Sequence, residues 1–511
     1  MTKLQYLSLS KPQRFLVNLG NGFKNFGKGI VNFFKGIPNK LLKFWNHTLS
    51  VPFKTLFNAW KKGSWMVRGN FLVFGLYQLF HRQIARGVLY LAYEIVFIWF
   101  MIKVGYPYLA KLGTLGTFSP NSHYMVDPTT GVASGSFAGG DNSFTILLYS
   151  IVTIFFIGLF VVLWYLSIRD AKSLHDNYCV GRIGSNKQFF KDLVDSKYHT
   201  LLLAVPLVGL VAFTIIPIVF MITVGFTNYN GVERVTLFDW VGFDNYNLLF
   251  SGLSSGGGDV VGIFFKILAW TLLWALIATF TNYFLGMVIA LLINKKGIKL
   301  KKLWRTVLIF TIAVPQFVSL MLINRMLAEN GFLTQIFVKA GWIKQNISPF
   351  QNVTLARVLI IIVNMWVGVP YTMLICSGLL MNIPEDLYES ARIDGASPFK
   401  MFSAITLPYM LFITGPYLLS QFVGNINNFN IIYLLSKGAP SFGLPVTLGY
   451  GDPGETDLLI TWIYKMSMEG GSRKNYAMAC VLGVLVFLVI AFFSLIFYGR
   501  SGAVKNEEDF S

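Results

Sequence analysis

Long apolar runs alternate with short polar stretches along most of this 511-residue chain. A helix needs about 20 apolar residues to cross a bilayer. Eight runs reach that length: 86–104, 145–168, 201–226, 263–293, 304–327, 355–381, 403–435 and 477–499. The pattern therefore predicts an all-α, polytopic membrane protein with about eight transmembrane helices. It also divides the chain. Residues 1–85 form a basic, amphipathic, cytoplasmic or interfacial region, and 86–199 hold two additional spans with their loops. Residues 200–500 form a six-span core, and 501–511 a cytoplasmic tail.

The first segment repeats Phe, Leu and Trp beside Lys, as in "FKNFGKGIVNFFKGIPNKLLKFW", with no piece apolar enough to span. Such a segment suits an anionic membrane surface. Because the first spanning run begins only after Arg86, no cleavable signal peptide is expected. Gly22 to Lys28, "GFKNFGK", imitates the start of a phosphate loop. Gly29 stands where Ser or Thr must reach Mg²⁺, and no buried strand precedes it, so no nucleotide site is expected.

Charge changes the picture by giving orientation. The formal net charge is +19, from 42 Lys and Arg against 23 Asp and Glu. In a soluble chain this excess would suggest nucleic acid; here it gathers in alternate loops, as the positive-inside rule requires. The N-terminus, 169–199, "NKKGIKLKKL" (294–303) and 382–402 carry the basic residues, whereas 105–144 and 227–262 are Gly/Ser/Asn-rich or acidic. Both termini are thus expected in the cytoplasm. Three isolated Cys and five isolated His offer no disulfide framework, metal site or catalytic cluster.

One loop on the basic side is unusual. "YESARIDGASPFKMFSAITLP" (388–408) places charges, a Gly and two Pro between apolar spans. Pro384, Glu385 and Asp386 suit a helix start, Gly395 a left-handed helix end, and Ser397-Pro398 the start of a second helix. A rigid helix–turn–helix is more than a connector needs, and it suits docking of a cytoplasmic partner.

This stretch resembles the EAA loop of bacterial ABC importer permeases: Glu389-Ser390-Ala391, three residues, Gly395, nine residues, then Ile405-Thr406-Leu407-Pro408. Ser390 replaces the second residue of the family's Glu-Ala-Ala. "NMWVGVPYTMLICSGLLMNIPEDLYESARIDGASPF", "SQFVGNINNFNIIYLLSKGAP" and "TDLLITWIYKMSMEGG" extend the likeness to MalF-type permease subunits of maltose/maltodextrin importers. The resemblance implies an ABC permease core over 200–500, with a coupling loop at 384–408. Glu389, Ser390, Ala391, Asp394, Gly395 and Ala396 would meet an ATPase subunit. It also implies a second, MalG-type permease, two ATPase subunits that bind the ATP and Mg²⁺, and an extracellular solute-binding protein. The chain itself would be non-catalytic, hold no cofactor and bind no nucleic acid. The external loop 227–262 is short where MalF carries a large insertion, which suggests a bacterial cell membrane facing a lipid-anchored binding protein.

Candidate substrate groups are polar residues at mid-span. Gln421, Asn425 and Asn428 fall at i, i+4 and i+7, one face of a continuous helix. Gly368 and Tyr371 lie in "WVGVPY", and Gln316 follows Pro315. Amides and rings suit a neutral polyhydroxylated substrate, although such amides also join helices to one another. The resemblance assigns sugar contact to Gln316, Val367, Gly368, Tyr371, Gln421, Asn425 and Asn428. Gln316 and Gln421 replace small Ser residues of the family, leaving maltodextrin, a raffinose-type sugar or a multiple-sugar substrate open. An ion-coupled transporter would need intramembrane carboxylates, and only Glu94 is prominent.

Overall fold

The computed structural model describes residues 50–117, 141–181, 185–231, 236–251, 260–295, 297–343, 348–443, 451–469 and 474–498. Most of the basic N-terminal region, including Gly22 to Lys28, and the tail 501–511 lie outside them. In chain order the helices are α1 (Ser50–Lys62), α2 (Trp65–Gly69), α3 (Leu76–Phe80), α4 (Ile84–Ala110), α5 (Ser143–Cys179), α6 (Asn186–Val194) and α7 (Tyr198–Val224). There follow α8 (Asp244–Ser251), α9 (Val260–Asn294), α10 (Lys301–Ala313), α11 (Gln316–Met326), α12 (Phe332–Lys339) and α13 (Val353–Leu380). The last are α14 (Glu385–Ile393), α15 (Pro398–Met401), α16 (Leu407–Ile426), α17 (Phe429–Leu435), α18 (Leu459–Tyr464) and α19 (Tyr476–Tyr498). Among the described residues the only β pairing is two isolated bridges.

Among the described residues seven helical stretches are long and apolar enough to span: α4, α5, α7, α9, α13, Pro398–Leu435 and α19. The expected fifth span is a broken pair, α10 and α11, bent by 83°. Val314 and Pro315 are extended there, because the ring of Pro315 disfavours helical geometry at the residue before it.

The chain divides into two compact units, 1–110 with 149–214, and 111–148 with 215–511. In the first, residues 50–83, expected at a membrane surface, contribute to a core of their own. Ala59, Val67 and Tyr77 pack with Ile168, Ala171 and Leu174 of α5. The Asn70 amide donates to Gln78 and Ser167, and Arg86 and Tyr90 hold Asp170. Glu94 accepts from the backbone N–H of Phe74 at 2.8 Å. The buried carboxylate of Glu94 thus ties α4 to the segment that precedes it.

In the second unit α9 is the central strut. Tyr283, Met287 and Ala290 pack with Met373 and Cys376 of α13 and Met410 of α16. Gly286 permits the closest approach: a Cβ there would lie 2.8 Å from Thr372 Cβ and 3.0 Å from the Met373 nitrogen. Beyond α17, a buried polar network fixes the turn that leads into α18. Asp457 accepts from Lys465 Nζ at 2.6 Å, from Thr461 Oγ1 at 2.7 Å and from Gly454 N at 2.7 Å. Burial pushes the Asp457 carboxyl up, while Lys465 and these donors pull it down.

Candidate functional site

The α16–α17 stretch corrects the expected amide stripe. The helix ends at Ile426, Asn427 caps it, and Asn428 is the N-cap of α17, its Oδ1 accepting from the Ile431 N–H at 3.5 Å. Asn428 therefore does not share a helical face with Gln421 and Asn425. The apolar residues continue on both sides of the break, so hydropathy alone reads straight through it. Asn side chains compete with the backbone ladder by capping, which is why the helix stops at an Asn-Asn pair.

Asn425 is buried and fully engaged. Its Nδ2 donates to Thr279 Oγ1 of α9 at 3.0 Å, its Oδ1 accepts from Asn428 Nδ2 at 3.3 Å, and its carbonyl accepts from Trp274 Nε1 at 3.2 Å. Gln316, the first residue of α11, is different: it is half-buried, and its amide bonds to no described residue. Gln421 is equally half-buried and unbonded, and Tyr371 is exposed with a free hydroxyl. The four amides among the seven expected residues thus separate into tied ones, Asn425 and Asn428, and free ones, Gln316 and Gln421.

Gly368 brings α9 and α13 together at the same level. A Cβ at that position would lie 2.3 Å from Asn282 Nδ2, so the amide of α9 occupies side-chain space on α13. Val367 beside it is half-buried. One turn beyond Gly368, Thr372 Oγ1 lies 3.4 Å from the hydroxyl of Tyr417, itself one turn before Gln421 on α16. The α13 and α16 groups are therefore linked, and Asn425 reaches the same strut through Thr279. No hydrogen bond joins Gln316 to the other six among the described residues. None of the seven lines either of two open cavities, of 470 and 690 Å³.

The charged loop folds as the sequence leads one to expect. α14 begins after Pro384 with Glu385 and Asp386 in its first turn. Gly395 has φ +73° in open space, and Ser397 Oγ accepts from the Lys400 N–H at 3.3 Å to start α15. Glu389, Ser390 and Asp394 are exposed, and Ala391 and Ala396 are half-buried. Ile393 and Phe399 project almost fully from the loop, 87% and 78% exposed, which leaves an apolar face without cover among the described residues. The Tyr388 hydroxyl meets Thr406 Oγ1 at 2.8 Å and so ties the loop to the start of α16.

Residues 282–502 match the family described as binding-protein-dependent transport system inner membrane component. The chain is similar to the maltodextrin transport system permease protein MdxF of Bacillus subtilis, 31% identical over 451 residues, covering 85% of this chain and 95% of that one. The chain belongs to this family of importer permeases. The maltodextrin permease MalC of Streptococcus pneumoniae is 29% identical over the same shares. MalF of Escherichia coli is 37% identical over 240 residues, 46% of this chain and 44% of that one. A solved bacterial ABC transporter that imports the acidic polysaccharide alginate aligns with 61% of the permease at a TM-score of 0.45 and 20% identity.

The permease carries polar groups that the sequence reading passed over. Asn282 Oδ1 and Asn364 Nδ2 are buried without a hydrogen-bond partner among the described residues. An orphaned buried polar atom costs about 1–3 kcal/mol. Asn364 stands one turn before Gly368 on α13, so helical spacing from Gly368 and Tyr371 was the available signal.

Proposed function

We propose that this permease moves a neutral, maltodextrin-like α-linked oligosaccharide into the cell by alternating access. The observation that carries the reading is the set of groups around the α9–α13–α16 junction. It offers a free amide at Gln421 and a free hydroxyl at Tyr371, and the free amide of Gln316 on α11 is taken to join them. Unsatisfied amide atoms at Asn282 and Asn364 add to it. Sugar hydroxyls both donate and accept, so they satisfy all of these. Val367 and the ring of Tyr371 suit the apolar faces of a glucosyl unit. Asn425 and Asn428 complete the proposed site and also hold the helix break open.

A single permease chain would supply half a chamber. A second, MalG-type permease would complete it. α14 and α15, with Glu389, Ser390, Ala391, Asp394, Gly395 and Ala396, would seat on one of two ATPase subunits. Their exposed Ile393 and Phe399 would fill its cleft. A lipid-anchored extracellular binding protein would deliver the sugar on the opposite side, and both termini would be cytoplasmic. In this reading the chain performs no chemistry and carries no cofactor; ATP and Mg²⁺ belong to the ATPases.

A galacto-oligosaccharide is the second reading, because a Bacillus subtilis permease of that name matches at 28% identity over 85% of this chain. The test is uptake by the reconstituted importer of malto-, galacto- and raffinose-type oligosaccharides, with mass spectrometry of any sugar retained on purification. ATP-dependent uptake of malto-oligosaccharides alone supports the proposal. Selective uptake of either other class overturns it.

A further inference from the structure

A polar cavity of 690 Å³ lies behind the coupling helix α14, away from the sugar groups. Three span ends meet there: Asn294 closes α9, Lys301 and Arg305 open α10, and Leu380 closes α13. α14 forms the remaining wall with Glu385 and Tyr388. Two cations thus face one carboxylate. The cations are held in place. Lys301 Nζ donates to the Asn294 carbonyl at 3.1 Å, Arg305 Nη2 donates to Asn294 Oδ1, and Asn294 Nδ2 donates to Ser377 Oγ at 2.9 Å. The Arg305 guanidinium is nevertheless incomplete, because its Nε is buried with no acceptor among the described residues.

We propose that this cavity binds the phosphate of an anionic phospholipid headgroup and thereby braces the coupling helix from behind. The reading rests on the proposed cytoplasmic placement of α14. A phosphate would pair with the cationic groups of Arg305 and Lys301, both of which line the cavity. Basic pockets between span ends are the usual place for such headgroups. The surroundings favour a lipid over free phosphate. Leu300, Leu303 and Trp304 are exposed beside the cations on α10, and Met381 is an exposed part of the cavity lining. Acyl chains and the glycerol region would cover these, with Trp304 at the level where indoles collect. Glu385 would set a limit on charge, disfavouring headgroups with several phosphates.

The experiment uses the assembled importer in nanodiscs of phosphatidylcholine with increasing phosphatidylglycerol, with no sugar present, and counts retained lipid by native mass spectrometry. Wild type should retain phosphatidylglycerol selectively. Arg305→Gln and Lys301→Gln should each weaken retention about fivefold, the factor that corresponds to ~1 kcal/mol per basic residue. Arg305→Lys should restore part of it, showing that the fold is intact. Lys302→Gln, exposed and outside the lining, should retain lipid as wild type does. In pure phosphatidylcholine discs, inorganic phosphate should not protect the site at millimolar concentrations. Equal retention of both lipids, or equal retention by all variants, overturns the proposal. So does saturation by inorganic phosphate, which would make this a soluble-anion site. Because sugar is absent, these outcomes stand apart from success or failure of the sugar assignment.

Discussion

Asn425→Ala and Gln421→Ala, one turn apart on α16, should have opposite consequences. Removing the Asn425 amide deletes the 3.0 Å bond to Thr279 and the 3.3 Å bond from Asn428. Interhelical bonds in membranes are worth about 0.6–1.7 kcal/mol each, so the loss is roughly 1–3 kcal/mol. It is felt at the joint between α16, α17 and α9. Gln421 bonds to no described residue, and its removal should alter stability by less than about 0.5 kcal/mol. The assay pairs thermal unfolding of the purified complex with uptake per assembled complex across malto-oligosaccharides. Asn425→Ala should lower the melting midpoint and the yield, whereas Gln421→Ala should leave both and shift the preferred sugar length. Asn427→Ala, whose side chain faces the separate 470 Å³ cavity, should do neither. If Asn425→Ala melts like wild type, the bonds to Thr279 and Asn428 carry no stability and the structural role argued for this amide is wrong.

Gly395→Val should force a β-branched residue to φ +73°, at roughly 1–2 kcal/mol or more. Insertion should be normal but co-purification with the ATPase reduced; Gly395→Asn, which tolerates that conformation, should stay close to wild type. Lys465→Met should leave the Asp457 carboxylate buried and unpaired, at about 3–5 kcal/mol. Burial already holds the folded-state pKa above the unfolded one, and loss of the Lys465 cation raises it further. The variant should therefore be most stable at acid pH and lose stability as pH rises, while Asp457→Asn in addition should recover part of the loss and flatten that profile in thermal melts. In a chain lacking its three native Cys, Ser441→Cys should react with an impermeant maleimide on intact cells and Lys299→Cys should not. The reverse would invert the proposed topology.

The spans and the coupling loop were legible because each rests on a local signal: apolar length, a Pro at a helix start, a Gly where φ must be positive. Pro315 marked the site of the α10–α11 break, but the 83° bend depends on what both helices pack against. The break after Ile426 was hidden for another reason. Its cause is a side chain capping a backbone N–H three residues on, and Asn425 to Asn428 read equally well as a polar stripe. The roles of the amides were least legible. Whether Asn425 is tied or free depends on Thr279, 146 residues earlier. Residues 50–83 carry the composition of a surface segment, yet their polar groups Asn70 and Gln78 find partners on α5.

The interruption between α16 and α17 has a mechanical meaning. α16 contains 20 residues, so at ~1.5 Å per residue it is a rod about 30 Å long. Its far end is joined to α14 through Tyr388 and Thr406, and its near end rests on the Asn427–Asn428 joint. With a fulcrum there, a tilt of about 10° displaces the α14 end by about 5 Å, close to one helical turn. The same tilt leaves α17 and the Asp457–Lys465 turn where they are. A small rotation beside Gln421 and a large stroke at the α14 end are then two ends of one lever.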